Sequence, residues 1–231
     1  MESTASTEDF RVRSAAEKRE RMHARLIAAT MEAYLQAPAG FHPVIDDVIR
    51  VADVSRGTFY KYFDSLDEVR AKIGRSMAGE MLSSYEALFA GIEDYAVRMA
   101  AGPLMALARA AMEPRHAAFI SRVDFIEFLD GEDPRSVIVK RGLEEGRQRG
   151  QVQFESLEAA VDLVVGVSLE GARRILQTGA LDGAYIRETA TLVMLGLGLS
   201  RPEAKAAVTA AWEHLQKVSG RLHWWRPVGG I

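Results

Sequence analysis

Apolar positions recur at three- and four-residue spacing along most of the chain, and no stretch alternates convincingly with the two-residue period of a strand. From about Ala16 to Gln36 the residues Met22, Leu26, Ile27, Thr30, Met31 and Tyr34 mark a first amphipathic helix, broken by Ala37-Pro38-Ala39-Gly40. Pro43 can open a second helix, since its missing N–H would lack a partner in the first turn anyway; Ile45, Val48, Ile49 and Ala52 form its inner face. Ser55 starts a third short segment, ending near Tyr62, and the three helices can pack around Leu26, Tyr34, Phe41, Val48, Phe59 and Phe63. Ser65-Leu66-Asp67-Glu68 is a capping box opening a long helix to about Phe89, with Val69, Ile73, Met77, Met81, Tyr85 and Leu88 on one side.

Helical spacing continues to the C-terminus. It predicts helices at about Asp94–Met112, Arg115–Leu129, Pro134–Arg149, Leu157–Thr178, Asp182–Leu197 and Pro202–Ser219. Asp133-Pro134 and Ser200-Arg201-Pro202-Glu203 are start signals, while Gly131, Gly150, Gly179 and Gly220 are stops. The fold class is therefore all-α. Residues 1–15 read as a flexible leader, 16–64 as a three-helix head, 65–220 as a helical body and 221–231 as a tail.

Composition adds exclusions. The chain has 231 residues, 48% hydrophobic and 26% charged, which is ordinary for a globular protein and argues against wholesale disorder. It has no cysteine, so disulfide and thiolate chemistry are excluded. The N-terminal ten residues lack the apolar segment of a secretory signal, and Thr189–Ser200 is too short an apolar run to span a bilayer. A cytoplasmic protein without a membrane partner is expected. Net charge is −3, yet Arg11, Arg13, Lys18, Arg19, Arg21 and Arg25 outnumber Glu17 and Glu20 between positions 11 and 25. That run suits nucleic-acid contact, although a charge run alone is more often a solvated helix face.

Val48–Phe63 concentrates the chemistry. Two short helices joined by a tight break at Asp53-Val54-Ser55 make a helix-turn-helix pattern, and its second helix carries groups suited to phosphates and the major groove. Ser55 can cap that helix, whose free N–H groups can also hold a phosphate. Arg56 can pair with guanine or phosphate, and Thr58 can touch a thymine methyl or a phosphate. Gly57 fits either a close approach to DNA or a tight helix–helix contact. Tyr60 and Tyr62 can reach phosphate or pack half-buried, and Lys61 is a phosphate contact or a free surface lysine. Phe59 and Phe63 belong to the core.

Catalytic signals are absent from the sequence. His23, His42, His116, His214 and His223 have no metal-ligand spacing, Gly-x-Ser-x-Gly does not occur, and Gly196-Leu197-Gly198-Leu199 lacks a phosphate loop's preceding strand and following lysine. No enzyme, cofactor or metal site is expected. Helix 157–178 is apolar on more than one face, with Val161, Val164, Val165, Ser168, Ala172 and Ile175 on one side and Leu163, Val167 and Leu169 elsewhere. That fits a helix packed on its own core and against a partner subunit. Pro202–Ser219 has a narrower stripe of Ala204, Ala207, Val208, Ala211, Trp212, Leu215 and Val218.

The stretch Leu26–Ile73 resembles the DNA-binding domain of the TetR/AcrR family of transcriptional regulators. The resemblance lies in Tyr34 near the end of the first helix, Gly40-Phe41, the turn Ala52-Asp53-Val54-Ser55, and Ser55-Arg56-Gly57-Thr58-Phe59-Tyr60-Lys61-Tyr62-Phe63 before a long helix. Asp53 stands in place of the usual turn glycine, Pro43-Val44 where a hydroxyl often caps the second helix, and Leu66 in place of a frequent lysine. Two extra residues separate Tyr34 from Gly40.

The resemblance implies a ligand-responsive regulator, most often a repressor, binding a pseudo-palindromic double-stranded DNA operator as a homodimer. It implies DNA contact by Ser55, Arg56, Gly57, Thr58, Tyr60, Lys61 and Tyr62, with Tyr60 favoured over Tyr62 for phosphate. It implies release by a small apolar or amphipathic effector in a pocket drawn from the soft and aromatic residues between Met77 and Phe128. Met81, Tyr85, Met105, His116, Phe119, Asp124 and Phe128 are the candidates, and plain core packing is the other reading of these residues. It further implies a four-helix dimer interface through Val161, Val165, Ser168, Ala172, Ile175, Val208, Ala211, Trp212 and Leu215; a monomeric core is the alternative there. An all-α small-molecule binding or interaction protein that has lost DNA contact is the competing function.

Overall fold

The computed structural model describes residues 3–38, 41–123, 137–179 and 182–226, and among them it contains ten α-helices, one 3-10 turn and no strand. The order is α1 Ser3–Gln36, α2 Ile45–Ala52, α3 Arg56–Tyr60, α4 Leu66–Phe89, α5 Tyr95–Met112, α6 Pro114–Ile120, α7 Val137–Gln148, α8 Leu157–Thr178, α9 Gly183–Gly196 and α10 Arg201–Val218. The predicted ends of α8 match, and those of α5, α9 and α10 fall within a residue, because each carries a local boundary signal. Asp94, Ser156 and Asp182 each accept from backbone N–H groups of the following turn, and Gly179 closes α8 at φ 63°. At Ser200 the carboxylate of Glu203 accepts from both its N–H and its hydroxyl. None of the helices is long and apolar enough to cross a membrane, among the described residues.

The chain divides into two compact units after Ile73, eight residues into α4 rather than before it. Val69 and Ile73, in the first two turns of α4, are buried, so the head's core needs the start of that helix. In this unit α1 packs on α2 and α2 on α3. Leu26, Tyr34, Val48, Phe59 and Phe63 are buried as predicted. Phe41 is not: it is 72% exposed, in the connection between α1 and α2. The helix α1 also starts much earlier than Ala16 and runs through the segment expected to be a flexible leader. Its alanines, glutamates and arginines are good helix formers, and Glu17 and Arg21 add an i,i+4 pair at 3.8 Å.

In the second unit α5 is central, packing against α8, α9 and α10. It is apolar nearly all round, and Ala100, Ala101, Leu104, Leu107 and Ala108 are fully covered. Pro103 lies within it and cannot donate to the Met99 carbonyl, leaving that rung of the helix open. The C-terminal segment packs on this body: Trp224 is fully buried, and Trp225 packs on Trp212 with ring centroids 6.0 Å apart. A tail was expected from position 221, but its two tryptophans complete the core. Gly198 also has a structural task. It has φ 90°, and a Cβ there would lie 2.8 Å from Gln153 Cβ, where Gln153 N–H donates to the Leu197 carbonyl at 2.7 Å.

Candidate nucleic-acid interface and effector cavity

The turn between α2 and α3 is built from side chains that satisfy helix ends. Val44 at the N-cap has no side-chain oxygen, so Asp47 alone serves, accepting from the Val44 N–H at 3.0 Å. That hydrogen bond, then Arg50 at 2.8 Å, holds the Asp47 carboxyl below the usual carboxylate range. Asp53 closes α2 in the left-handed region, φ 49° and ψ 56°, so an aspartate fills the place of the turn glycine. Arg25 braces the turn, its guanidinium 3.4 Å from the Asp53 carbonyl and 3.8 Å from its carboxylate. One cation of the basic run is thereby committed inside the head.

Ser55 caps α3: the Thr58 N–H donates to its Oγ at 3.1 Å, and the two hydroxyls lie 2.9 Å apart. This five-residue helix buries Phe59 against Phe63, centroids 6.1 Å apart, and turns the other side outward. Ser55, Arg56, Gly57, Tyr60 and Lys61 are exposed, Tyr60 by 50%, whereas Thr58 and Tyr62 are half-buried. A Cβ on Gly57 would meet nothing nearer than Ser55 Oγ at 3.9 Å, so no helix–helix contact inside the protein requires that glycine. Arg56 Nη2 lies 3.0 Å from Asp46 Oδ1. Behind this surface His23 packs on Phe63 at 4.6 Å and sits 3.0 Å from Lys72 Nζ. Burial, then the Lys72 ammonium, lowers the His23 pKa, so Nε2 is left free to accept.

The second unit holds a cavity of about 330 Å³ between α4, α5, α6, α7 and α8. Met81, Tyr85, Met105 and His116, the candidates named from the sequence, line it. Phe119 does not; it is fully buried in the core, and Asp124 and Phe128 lie outside the described residues. Val165, Ser168 and Ala172, expected at a dimer interface, also face the cavity. Burial, and then Arg109 and His223, push His116 down to about 3, so its ring is neutral. Burial raises the Tyr85 phenol, whose hydroxyl donates to the Arg98 carbonyl at 3.0 Å.

Sequence reasoning missed the polar part of this wall. Arg98, Glu86, Tyr95, Arg141 and Glu145 all border the cavity. Arg141 lies 3.3 Å from Glu86 and 3.8 Å from Glu145, and the Tyr95 hydroxyl donates to Glu145. The available signal was Arg98 itself, a cation inside the apolar run of α5. Among the described residues, no group of three His, Asp or Glu side chains could hold a metal ion.

The residues expected at a dimer interface are covered in the single chain. Val161, Val165, Ser168, Ala172, Ile175, Val208, Ala211, Trp212 and Leu215 are all buried within the single chain. Helix α10 packs on α5 and α9, and α8 packs on α5. The uncovered apolar positions lie elsewhere: Leu192 on α9 is 52% exposed, with Leu195, Leu199, Leu163 and Val167 half-buried. A Cβ on Gly196 would stand 2.6 Å from Leu163 Cδ2, which places α8 and α9 side by side there.

Neither a protein-family model nor a curated protein matches the chain. Solved structures do. RolR in complex with resorcinol is 18% identical with a TM-score of 0.56, covering 84% of this chain and 96% of its own. A bacterial regulatory protein of the TetR family from Rhodococcus RHA1 is 18% identical with a TM-score of 0.59, covering 78% and 98%. The fatty acid degradation regulator FadR from Bacillus halodurans is 16% identical with a TM-score of 0.58, covering 78% and 97%. At these identities the likeness is one of fold, and the fold is that of TetR-family transcriptional regulators.

Proposed function

We propose that this protein is a ligand-responsive transcriptional regulator of the TetR type, acting as a homodimeric repressor on a pseudo-palindromic operator. The observation that carries the reading is the outward face of α3, where a Ser55-capped helix presents Arg56, Gly57, Tyr60 and Lys61 while Phe59 and Phe63 anchor its back. Exposed hydroxyl, guanidinium and ammonium groups on one short helix suit phosphates and base edges. Two such helices, one per subunit, would enter successive major grooves. A partner subunit would dock on the α8–α9 face around Leu192, the large apolar side chain that α9 leaves open.

An effector would occupy the cavity. RolR was solved with resorcinol, which supports a small organic molecule in a body of this fold. Helix α4 supplies Val69 and Ile73 to the core of the head and Met77, Met81 and Tyr85 to the cavity wall, so one continuous helix serves both. Effector binding relieves repression only if the occupied cavity favours a conformation with weaker DNA affinity.

The test is fluorescence anisotropy with duplex DNA from upstream of the protein's own coding sequence, at several salt concentrations. Specific, salt-dependent binding that Arg56→Ala weakens by about tenfold or more is the expected result. Absence of a specific complex, or no effect of the substitution, removes the DNA-reading assignment. One observation favours a body that binds ligand without reading DNA: the Asp46 carboxylate already holds Arg56. Ligand binding with no DNA complex would establish that reading instead.

A further inference from the structure

The cavity has one cation that no carboxylate holds in an ion pair among the described residues. Arg98 Nε is buried without a hydrogen-bond partner; the Tyr85 hydroxyl oxygen and, at longer range, the Glu86 carboxylate are the favourable company of its guanidinium. Its charge rests on the face of the Tyr95 ring, 4.7 Å from the centroid. The neighbouring carboxylates are engaged: Glu86 by Arg141, and Glu145 by Arg141 and Tyr95. His116 is neutral and adds no competing charge. The rest of the wall is apolar and soft, with Met81, Met99 and Met105 able to adjust to an aliphatic or ring-shaped body. A volume of about 330 Å³ is roughly twice the ~150 Å³ cavity that accepts one benzene.

We propose that the cavity takes an amphipathic monoanion, a carboxylate on an apolar chain or ring system, with its acid group on Arg98 and its body among the methionines. This rests on the effector reading of the cavity given above. A neutral apolar ligand would bury Arg98 further and leave its Nε–H unpaired, and a cation would meet like charge. A carboxylate satisfies the guanidinium with charge-assisted hydrogen bonds.

The probes are decanoate, decanol and decylamine, titrated into the full-length protein by calorimetry. Decanoate binds one per chain and at least about tenfold more tightly than decanol or decylamine. Arg98→Met brings decanoate down to the affinity of decanol and leaves decanol unchanged, which shows that the cavity is intact; Arg98→Lys keeps part of the difference. No binding of decanoate, equal affinity for decanol, or full decanoate affinity in Arg98→Met overturns the proposal. A parallel DNA titration separates the two readings. Decanoate that binds through Arg98 without altering DNA affinity sinks the regulatory reading alone, and a DNA complex with no decanoate binding sinks the Arg98 site alone.

Discussion

Arg56 at the start of α3 and Asp46 in the first turn of α2 form an exposed ion pair, Nη2 to Oδ1 3.0 Å, on the surface assigned to DNA. The carboxylate favours the N-terminus of its own helix. It also places negative charge where phosphates would arrive, and Arg56 must leave it to reach a guanine. Asp46→Asn keeps size and hydrogen bonding while removing the charge. The expected outcome is DNA binding tighter by roughly three- to tenfold at low salt, the gain shrinking as salt screens the charge. Anisotropy titrations of the variant and parent protein measure this directly, and weaker binding by Asp46→Asn would count against DNA contact at Arg56.

Gly57 has two effects that one substitution separates. Since a Cβ there meets nothing closer than 3.9 Å, Gly57→Ala fits the fold and removes backbone freedom from a helix. Stability should be unchanged or rise by up to about 1 kcal/mol. If the backbone of α3 approaches DNA at this point, the methyl group lowers affinity by about tenfold while the melting temperature holds. Thermal melting and DNA titration of the same sample give both values. Unchanged DNA affinity would show that the glycine is not at the contact.

What the sequence revealed and what it concealed divide along a physical line. Ser55, Asp53, Ser156, Asp182, Gly179 and Ser200 act on the backbone within three or four residues, so helix boundaries and the helix-turn-helix could be read from local order. A helical stripe shows that a face is apolar but not which element covers it. The stripe of α10 therefore pointed to a partner subunit as plausibly as to α5, and α5 is what it meets. The same ambiguity hid the roles of Val165, Ser168 and Ala172 in the cavity wall. Phe41 stands between α1 and α2, outside either helical stripe, and Trp224 belongs to a short segment without periodicity. Arg98 carried the remaining signal, a cation inside the largely apolar sequence of α5.

The α8–α9 face gives a prediction on assembly. Leu192 is exposed on α9, and Leu195, Leu199, Leu163 and Val167 of the same two helices and the turn after α9 are half-buried. A stable interface buries about 1,200–2,000 Å² in total, and charge at its centre is costly. Leu192→Glu is expected to convert a dimer to monomer in size-exclusion chromatography with light scattering, leaving helix content by circular dichroism intact. Because Leu192 is exposed in the single chain, loss of folding is not the expected route. A variant that stays dimeric would place the interface elsewhere.

His116 makes the body sensitive to acid. Its pKa falls from 6.5 to about 3 on folding, through burial first and then the Arg109 and His223 charges. The unfolded chain takes up this proton below pH 6.5, whereas the folded one resists it until about pH 3. Stability from this group is therefore full above 6.5 and declines as pH falls through the window to 3. The decline from pH 7.5 to 5 should be about 2 kcal/mol. Urea unfolding at the two values, compared with His116→Phe, isolates the effect, since phenylalanine removes the titration. An equal decline in both proteins would assign the sensitivity to other groups.

Arg109 is the most deeply buried charge described in the body, 3% exposed in its side chain, and two carboxylates hold it. Its Nε donates to Glu113 at 2.9 Å and its Nη2 to Glu80 at 3.1 and 3.2 Å, while the guanidinium lies 5.7 Å from the Trp224 ring centroid. Nη1 is already buried without a partner. Removing both acids in Glu80→Ala/Glu113→Ala strands a cation in the core and should cost about 3–5 kcal/mol. Arg109→Met removes the cation instead and leaves carboxylates that are 40% and 26% exposed, able to regain water. Its thioether chain can also stay against Trp224, as sulfur–aromatic contact is favourable. The double acid variant should therefore be the less stable of the two in urea unfolding. The reverse order would mean that the carboxylates, not the arginine, carry the cost of burial here.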